Sequence, residues 1–178
     1  MPELEAHLGK DVKQGAVVMS LKRLSEELDF KINYKISKVL KNIGEITVRS
    51  SLTDFTYVIS DTLLDNQAKL ISEINKQQDI FYTSSRGVNE TNIVTSTSVE
   101  PMVEAIFKNE KLTHKIENLS SITVKLPQEN ISTPGVYYYI FQRLAWEGII
   151  IHEVISTTNE FTIIVSDDQI DVAFKVIK

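Results

Sequence analysis

The sequence predicts an α+β fold: two consecutive strand-helix-strand-strand-helix units, with antiparallel sheets carrying helices on one face, preceded by a short N-terminal helical segment. Three observations predict it. Period-two apolar stretches alternate with period-3.6 stretches in the order βαββα. That order occurs twice. Asn89-Glu90-x-x-Ile93-Val94 returns as Asn159-Glu160-x-x-Ile163-Ile164 at an offset of 70, and Ile71 and Ile74 map onto Phe141 and Leu144 at the same offset. The pattern 99, 102, 103, 106 returns at 170, 173, 174, 177, an offset of 71 that implies one inserted residue.

Each element has its own signal. Over residues 12–28, Val17, Leu21, Leu24 and Leu28 form the inward stripe of a helix, with Lys13, Lys22, Arg23 and Glu26 on its other side. Residues 29–44 are mixed and basic and close at Gly44. Ile46 and Val48 alternate with polar neighbours, Ser50-Ser51 reads as a break, and Phe55, Tyr57 and Ile59 resume the alternation, so two short strands are predicted. A helix over 63–76 turns Leu64, Ala68, Ile71 and Ile74 inward, and residues 79–84 and 92–95 form a hairpin around 86–89. Helix 99–108, capped by Ser98, buries Val99, Met102, Val103 and Ile106, and Pro101 is tolerated in its first turn.

In the second copy, strand 121–126 turns Ile122, Val124 and Leu126 to one face. Thr133-Pro134-Gly135 opens a helix with Tyr137, Ile140, Phe141 and Leu144 inward, ending at Gly148. Residues 149–155 read as a buried strand and 161–165 as its hairpin partner; Ser166 caps a last helix bearing Ile170, Ala173, Phe174 and Ile177. The second copy has no fourth strand of its own, whereas the first can use 112–117. Strand 45–49, which the first copy does not need, is expected to complete the second sheet. The division is 1–44 (helical segment and linker), 45–118 and 119–178.

Composition limits the functions. With 178 residues and 42% apolar side chains the chain can fill a real core. The absence of Cys excludes a disulfide framework, a thiolate metal site and a Cys nucleophile. No apolar run is long enough to span a membrane, and the charged start MPELEAHLGKDVK is not a secretory signal, so a cytoplasmic location is expected. Residues 1–44 carry 8 Lys+Arg and 6 Asp+Glu, the rest 11 and 18, which together give the net charge of -5. Nucleic acid could therefore be met only through residues 1–44.

Residues 120–178 carry a resemblance. They read S-S-I-T-V-K-L-P, then T-P-G-V-x-x-x-I-F-x-x-L-x-x-x-G-I-I-I, then I-S-T-T-N-E-F-T-I-I-V and a final helix. This resembles an ACT domain, and most closely the tandem ACT pair at the C-terminal regulatory end of aspartokinases, with 45–118 as a degenerate first unit. The resemblance implies tandem ferredoxin-like βαββαβ (ACT) units. Ile150 stands where that family usually has Asn. Forty-four residues upstream cannot hold a kinase domain, and neither G-x-x-x-x-G-K-[ST] nor G-x-G-x-x-G is present, so the regulatory half without the enzyme is implied. G-K-x-V-x-x-G-A-V-V-M-S-L-K-R-L resembles the end of a helix-turn-helix region found before ACT pairs, but residues 1–28 are too few for a three-helix DNA-binding core.

The strongest candidate site is the loop 128–136, with Glu129, Asn130, Ile131, Ser132, Thr133, Gly135 and Val136. A helix start offers unpaired N–H groups and a positive dipole end to a free amino acid's carboxylate. Gly135 lets backbone approach the ligand, Pro134 fixes the turn, and Glu129, Asn130 and Ser132 could meet an ammonium group or polar side chain. In the resembling family effectors sit between such a loop and the hairpin of a facing unit; the resemblance thus adds Ile149, Ile151, Ser156, Thr157, Asn159 and Glu160. Thr-Pro-Gly is also simply a good helix start, and Thr62-Leu63-Leu64-Asp65 in the first copy lacks Pro-Gly.

Other signals dissolve. His7, His114 and His152 lack acidic partners at metal-ligand spacing, so no metal or cofactor is expected. Asp167-Asp168 suits a helix start, and Tyr137-Tyr138-Tyr139 point in three directions on a helix. The expected function is a non-catalytic module that binds an amino acid at ACT-ACT interfaces within a homodimer or larger assembly. The alternatives are an oligomerisation module without ligand, and the ligand-sensing part of a transcriptional regulator.

Overall fold

A computed structural model describes residues 5–7, 9, 11 and 13–178, with the side chains of residues 26–33 and 35 outside the described set. The helix start expected at Val12 and the inward side chain expected at Leu28 therefore lie outside the described residues. From Ala16 to Ile43 the chain holds neither Gly nor Pro, and one helix, α1 (Gln14–Lys41), runs through most of this stretch. The short helix expected over 12–28 is corrected accordingly. So is its buried stripe: Leu21 and Leu24 are 60% and 52% exposed, whereas Ile36 and Val39 near the other end are buried. Among the described side chains of α1, Ile36, Val39 and Leu40 near its end pack on the body, while Val18, Met19, Leu21 and Leu24 in its first turns are exposed.

Strands β1 (Ile46–Val58) and β4 (Leu112–Lys125) form the centre of the sheet. Each is continuous where the sequence suggested two short strands. Ser51 (φ 60) and Asn118 (φ 58) adopt left-handed backbone, which reads as a break in sequence but here forms bulges that bend the strands without ending them. The two strands are antiparallel, with Ile46 opposite Val124, Arg49 opposite Ser121 and Phe55 opposite Lys115. Residues 46–49 therefore lie beside the first strand of the second copy.

Helix α2 (Leu63–Ile74) follows β1, then β2 (Tyr82–Arg86), β3 (Glu90–Ser96) and α3 (Glu100–Ile106). After β4 come α4 (Val136–Trp146), β5 (Ile151–Ser156), β6 (Glu160–Ser166) and α5 (Ile170–Ile177). All six strands join one antiparallel sheet in the order β2-β3-β1-β4-β6-β5. β3 pairs with residues 52–58 of β1, and β6 with residues 119–125 of β4, so each half of the central ribbon carries its own hairpin.

Helices cover one face of each half. Phe55, Tyr57 and Ile93 pack beneath Leu63, Leu70 and Val103, with Tyr57 stacked on Phe107 at 4.9 Å. Ile122, Val124, Phe161 and Ile163 pack beneath Val136, Ile140, Leu144, Ala173 and Val39. The opposite face is also dry: Leu52, Val94, Leu119 and Ile164 are fully buried, although no helix belongs to that cluster. Phe81, just before β2, and Ile155 of β5 reach this cluster from opposite edges of the sheet, and Asn92 of β3 comes close enough to Glu153 of β5 to favour its charged form. The sheet is therefore bent at Ser51 and Asn118 so that the helix-free faces of its halves meet, a corner made by strands that pass from one layer to the other.

Four smaller expectations are corrected. In α2 the buried stripe is Leu63, Gln67, Leu70 and Ile74, one residue out of phase, and Leu64 and Ile71 are exposed. A buried Gln disguised the true phase. Ser98 lies within the 3₁₀ turn Thr97–Val99, and α3 has no side-chain cap. Ser166 likewise caps nothing, because its hydroxyl pairs with His152 Nε2 at 3.0 Å. Finally, β5 is an edge strand with Val154 43% exposed, not a buried one.

Candidate functional site

The loop between β4 and α4 makes a 3₁₀ turn at Gln128–Ser132 and enters the helix through Gly135, whose φ of 89 only glycine adopts without strain. No side chain caps α4, so its first N–H groups are left for solvent or a ligand. The loop is tied to itself: Thr133 Oγ1 and Ser132 Oγ both donate to the Glu129 carbonyl, at 2.8 and 3.3 Å. Glu129 and Ile131 are exposed, Ile131 at 69%.

Tyr137 joins this loop to the hairpin. Its ring stacks on Phe161 at 4.9 Å, its hydroxyl lies 2.7 Å from Ser156 Oγ, and Asn130 Nδ2 donates to it at 3.4 Å. The hairpin turn closes through Thr157 N–H to the Glu160 carbonyl and Glu160 N–H to Thr157 Oγ1. The Asn159 carbonyl accepts Leu126 N–H at 2.7 Å, and Asn159 Oδ1 is buried with no hydrogen-bond partner among the described residues. Asn130, Ser156, Thr157, Asn159 and Glu160 thus gather beside the start of α4 within one chain.

Other expected site residues point elsewhere. Val136 and Ile149 are buried in the core and Ile151 packs against it, so only their backbone can face a ligand. Beside Gly135 stands Ile36 of α1: a Cβ built on Gly135 would meet Ile36 Cδ1 at 3.2 Å. Neither Ile36 nor Tyr137 was marked as a site residue in the sequence. Ile36 had only the spacing of Ile36, Val39 and Leu40 to announce it, and Tyr137 read as core.

The corresponding helix start in the first half is filled by the chain itself. The Glu110 carboxylate accepts hydrogen bonds from Ser60 Oγ at 2.5 Å, Thr62 Oγ1 at 2.7 Å and Asn66 Nδ2 at 2.7 Å, at the N-terminus of α2. Burial works to raise the pKa of this carboxyl, but the three hydrogen bonds lower it by more, and it sits below its ordinary range. A carboxylate is therefore held by side-chain donors beside one of the two equivalent helix starts, and among the described residues no side chain caps the other.

Among the described residues no group of His, Cys, Asp and Glu is arranged to hold a metal ion, and no helix is long and apolar enough to cross a membrane.

No protein-family model and no curated protein matches the sequence. Solved structures do match the fold. Over 76% of its length the chain superposes on aspartate kinase from Clostridium acetobutylicum with a TM-score of 0.62 at 16% identity, spanning 34% of that chain. It superposes on the regulatory subunit of aspartate kinase from Thermus thermophilus with a TM-score of 0.58 at 9% identity, covering 76% of this chain and 95% of that one. Aspartokinase III from E. coli, solved with lysine and aspartate, matches over 76% of this chain and 32% of its own, at 12% identity and a TM-score of 0.52. The chain thus spans about a third of the whole kinases and nearly all of an isolated regulatory subunit. The likeness in sequence is low and the likeness in fold is clear: the chain has the architecture of the aspartate kinase regulatory region, a tandem ACT-type arrangement.

Proposed function

We propose that this chain is a non-catalytic regulatory module that binds an amino acid at the start of α4 and couples it to the packing of a homodimer or larger assembly. Residues 45–118 and 119–178 act as its two ACT-type units, and 1–44 as the segment that carries the signal. The observation that carries the reading is the pair of helix starts: Glu110 stands beside one, held by the side chains of Ser60, Thr62 and Asn66, while the other is entered through Gly135 with Asn130 and Glu129 in the loop before it. A ligand carboxylate at α4 would take the place beside the helix start that Glu110 takes at α2, with the N–H groups of α4 as its donors, and Glu129 or Glu160 would meet its ammonium group. The E. coli structure holding lysine and aspartate supports an amino acid as the ligand class. Signalling would follow from a difference in ligand affinity between two packings of facing units.

A thermal-shift screen over the twenty amino acids tests this reading. One of them is expected to raise the melting temperature with concentration, and the double variant Glu129→Ala, Asn130→Ala should lose that rise. A second reading, an assembly module without ligand, is favoured by the exposed edge strand β5 and by Ile36 standing where a ligand would approach Gly135. It predicts no shift from any amino acid, together with a dimer that sediments unchanged.

A further inference from the structure

Away from the loop, a cleft of about 460 Å³ opens between the end of α1, the middle of α4 and the end of α5. Its volume is that of a small-molecule site. Leu40, Ile43 and Ile46 give it an apolar floor, and Lys41, Arg143 and Lys178 are among its lining residues, with Lys178 Nζ 5.9 Å from the centre of the neighbouring Phe174 ring. Among the described residues no acidic side chain lines it. This is unexpected in a chain of net charge -5, and none of the three cations forms an ion pair among the described residues. The Arg143 guanidinium lies over the Tyr139 ring at 5.7 Å, which fixes its orientation and leaves its N–H fork available to an oxyanion. Ser37, Leu40 and Lys41 make one wall from α1, so whatever fills the cleft touches the N-terminal helix and the body at once.

We propose that this cleft binds an amphiphilic organic anion: an apolar body on Leu40, Ile43 and Ile46, and a carboxylate or phosphate head held by Arg143, Lys41 and Lys178. Apolar floor and cationic rim together select such a molecule over either part alone. Bare phosphate gains nothing from the floor, and a neutral alcohol leaves the cations without a partner. The occupied cleft clamps α1 onto α4.

The test uses the full chain and the fluorescent sulfonate 8-anilinonaphthalene-1-sulfonate as probe. Saturable binding is expected, with displacement by octanoate or phenyl phosphate; the stronger of the two identifies the head group. Octanol and inorganic phosphate are expected to be at least about tenfold weaker. Arg143→Gln should weaken the probe about tenfold, and so should the double variant Lys41→Gln, Lys178→Gln at two exposed positions. Glu129→Ala with Asn130→Ala should leave probe binding unchanged, which separates this site from the loop. Probe affinity indifferent to the cation variants, or octanol competing as well as octanoate, would overturn the proposal.

Discussion

Ile36 and Gly135 meet where α1 crosses the start of α4, with Ile36 Cδ1 3.2 Å from the place a Cβ on Gly135 would occupy. Two independent constraints thus act on Gly135, its φ of 89 and this contact. Gly135→Ala is expected to cost about 1–2 kcal/mol in urea denaturation. Ile36→Ala, which empties a 1% exposed position, should cost about 2–4 kcal/mol. Because the smaller residue at 36 makes room for the new methyl, the double variant should lose less than the sum of the two. Strict additivity would show that the contact has no energetic weight.

Asp54 is buried where the two halves of the sheet meet, with one carboxylate oxygen unpaired. Burial, and after it the charge of Glu153, push its pKa from 3.8 up to about 6, against a smaller opposing effect of the Phe55 N–H. The folded chain therefore holds a proton on Asp54 that the unfolded chain has released, so the contribution of this residue to stability should fall as pH rises from about 4 to about 6. Asp54→Asn is expected to raise the unfolding free energy at pH 7, by about 2 kcal/mol at most, and to flatten its pH dependence across that window. A variant no more stable than the parent at pH 7 would contradict this.

Ser51 and Asn118 hold left-handed backbone where β1 and β4 bend. Ser51→Gly should stabilise the chain by about 0.5–1 kcal/mol, and Ser51→Val should destabilise it by about 1–2 kcal/mol or more. Asn118→Gly should gain less, because Asn tolerates this conformation better than Ser. Melting temperatures of the three variants decide the matter; a stabilising Ser51→Val would mean that the bend does not depend on this residue.

The order of elements was legible because Ile122, Val124, Ile140 and Leu144 obey the periods of strand and helix closely. The continuity of the central strands was not, since a left-handed Ser51 or Asn118 in sequence looks like a turn and only cross-strand pairing shows that the strand goes on. The phase of α2 was hidden by Gln67, a polar residue in a buried stripe. The burial of Asp54 had no signal in the sequence, because nothing local says that two helix-free faces close on each other. At the site, Pro134-Gly135 marked the helix start from sequence alone. The Glu110 carboxylate at the other helix start comes from 44 to 50 residues away along the chain, beyond the reach of any local pattern.

Two strands, β1 and β4, serve both halves of the sheet, and this limits how the chain can be divided. A cut at residue 118, where the repeat suggests a seam, strips each fragment of a neighbouring strand and uncovers Leu52, Val94, Leu119 and Ile164 to water. The repeat is modular in pattern but not in thermodynamics: neither piece is a portable building block, and the chain is expected to melt in a single step.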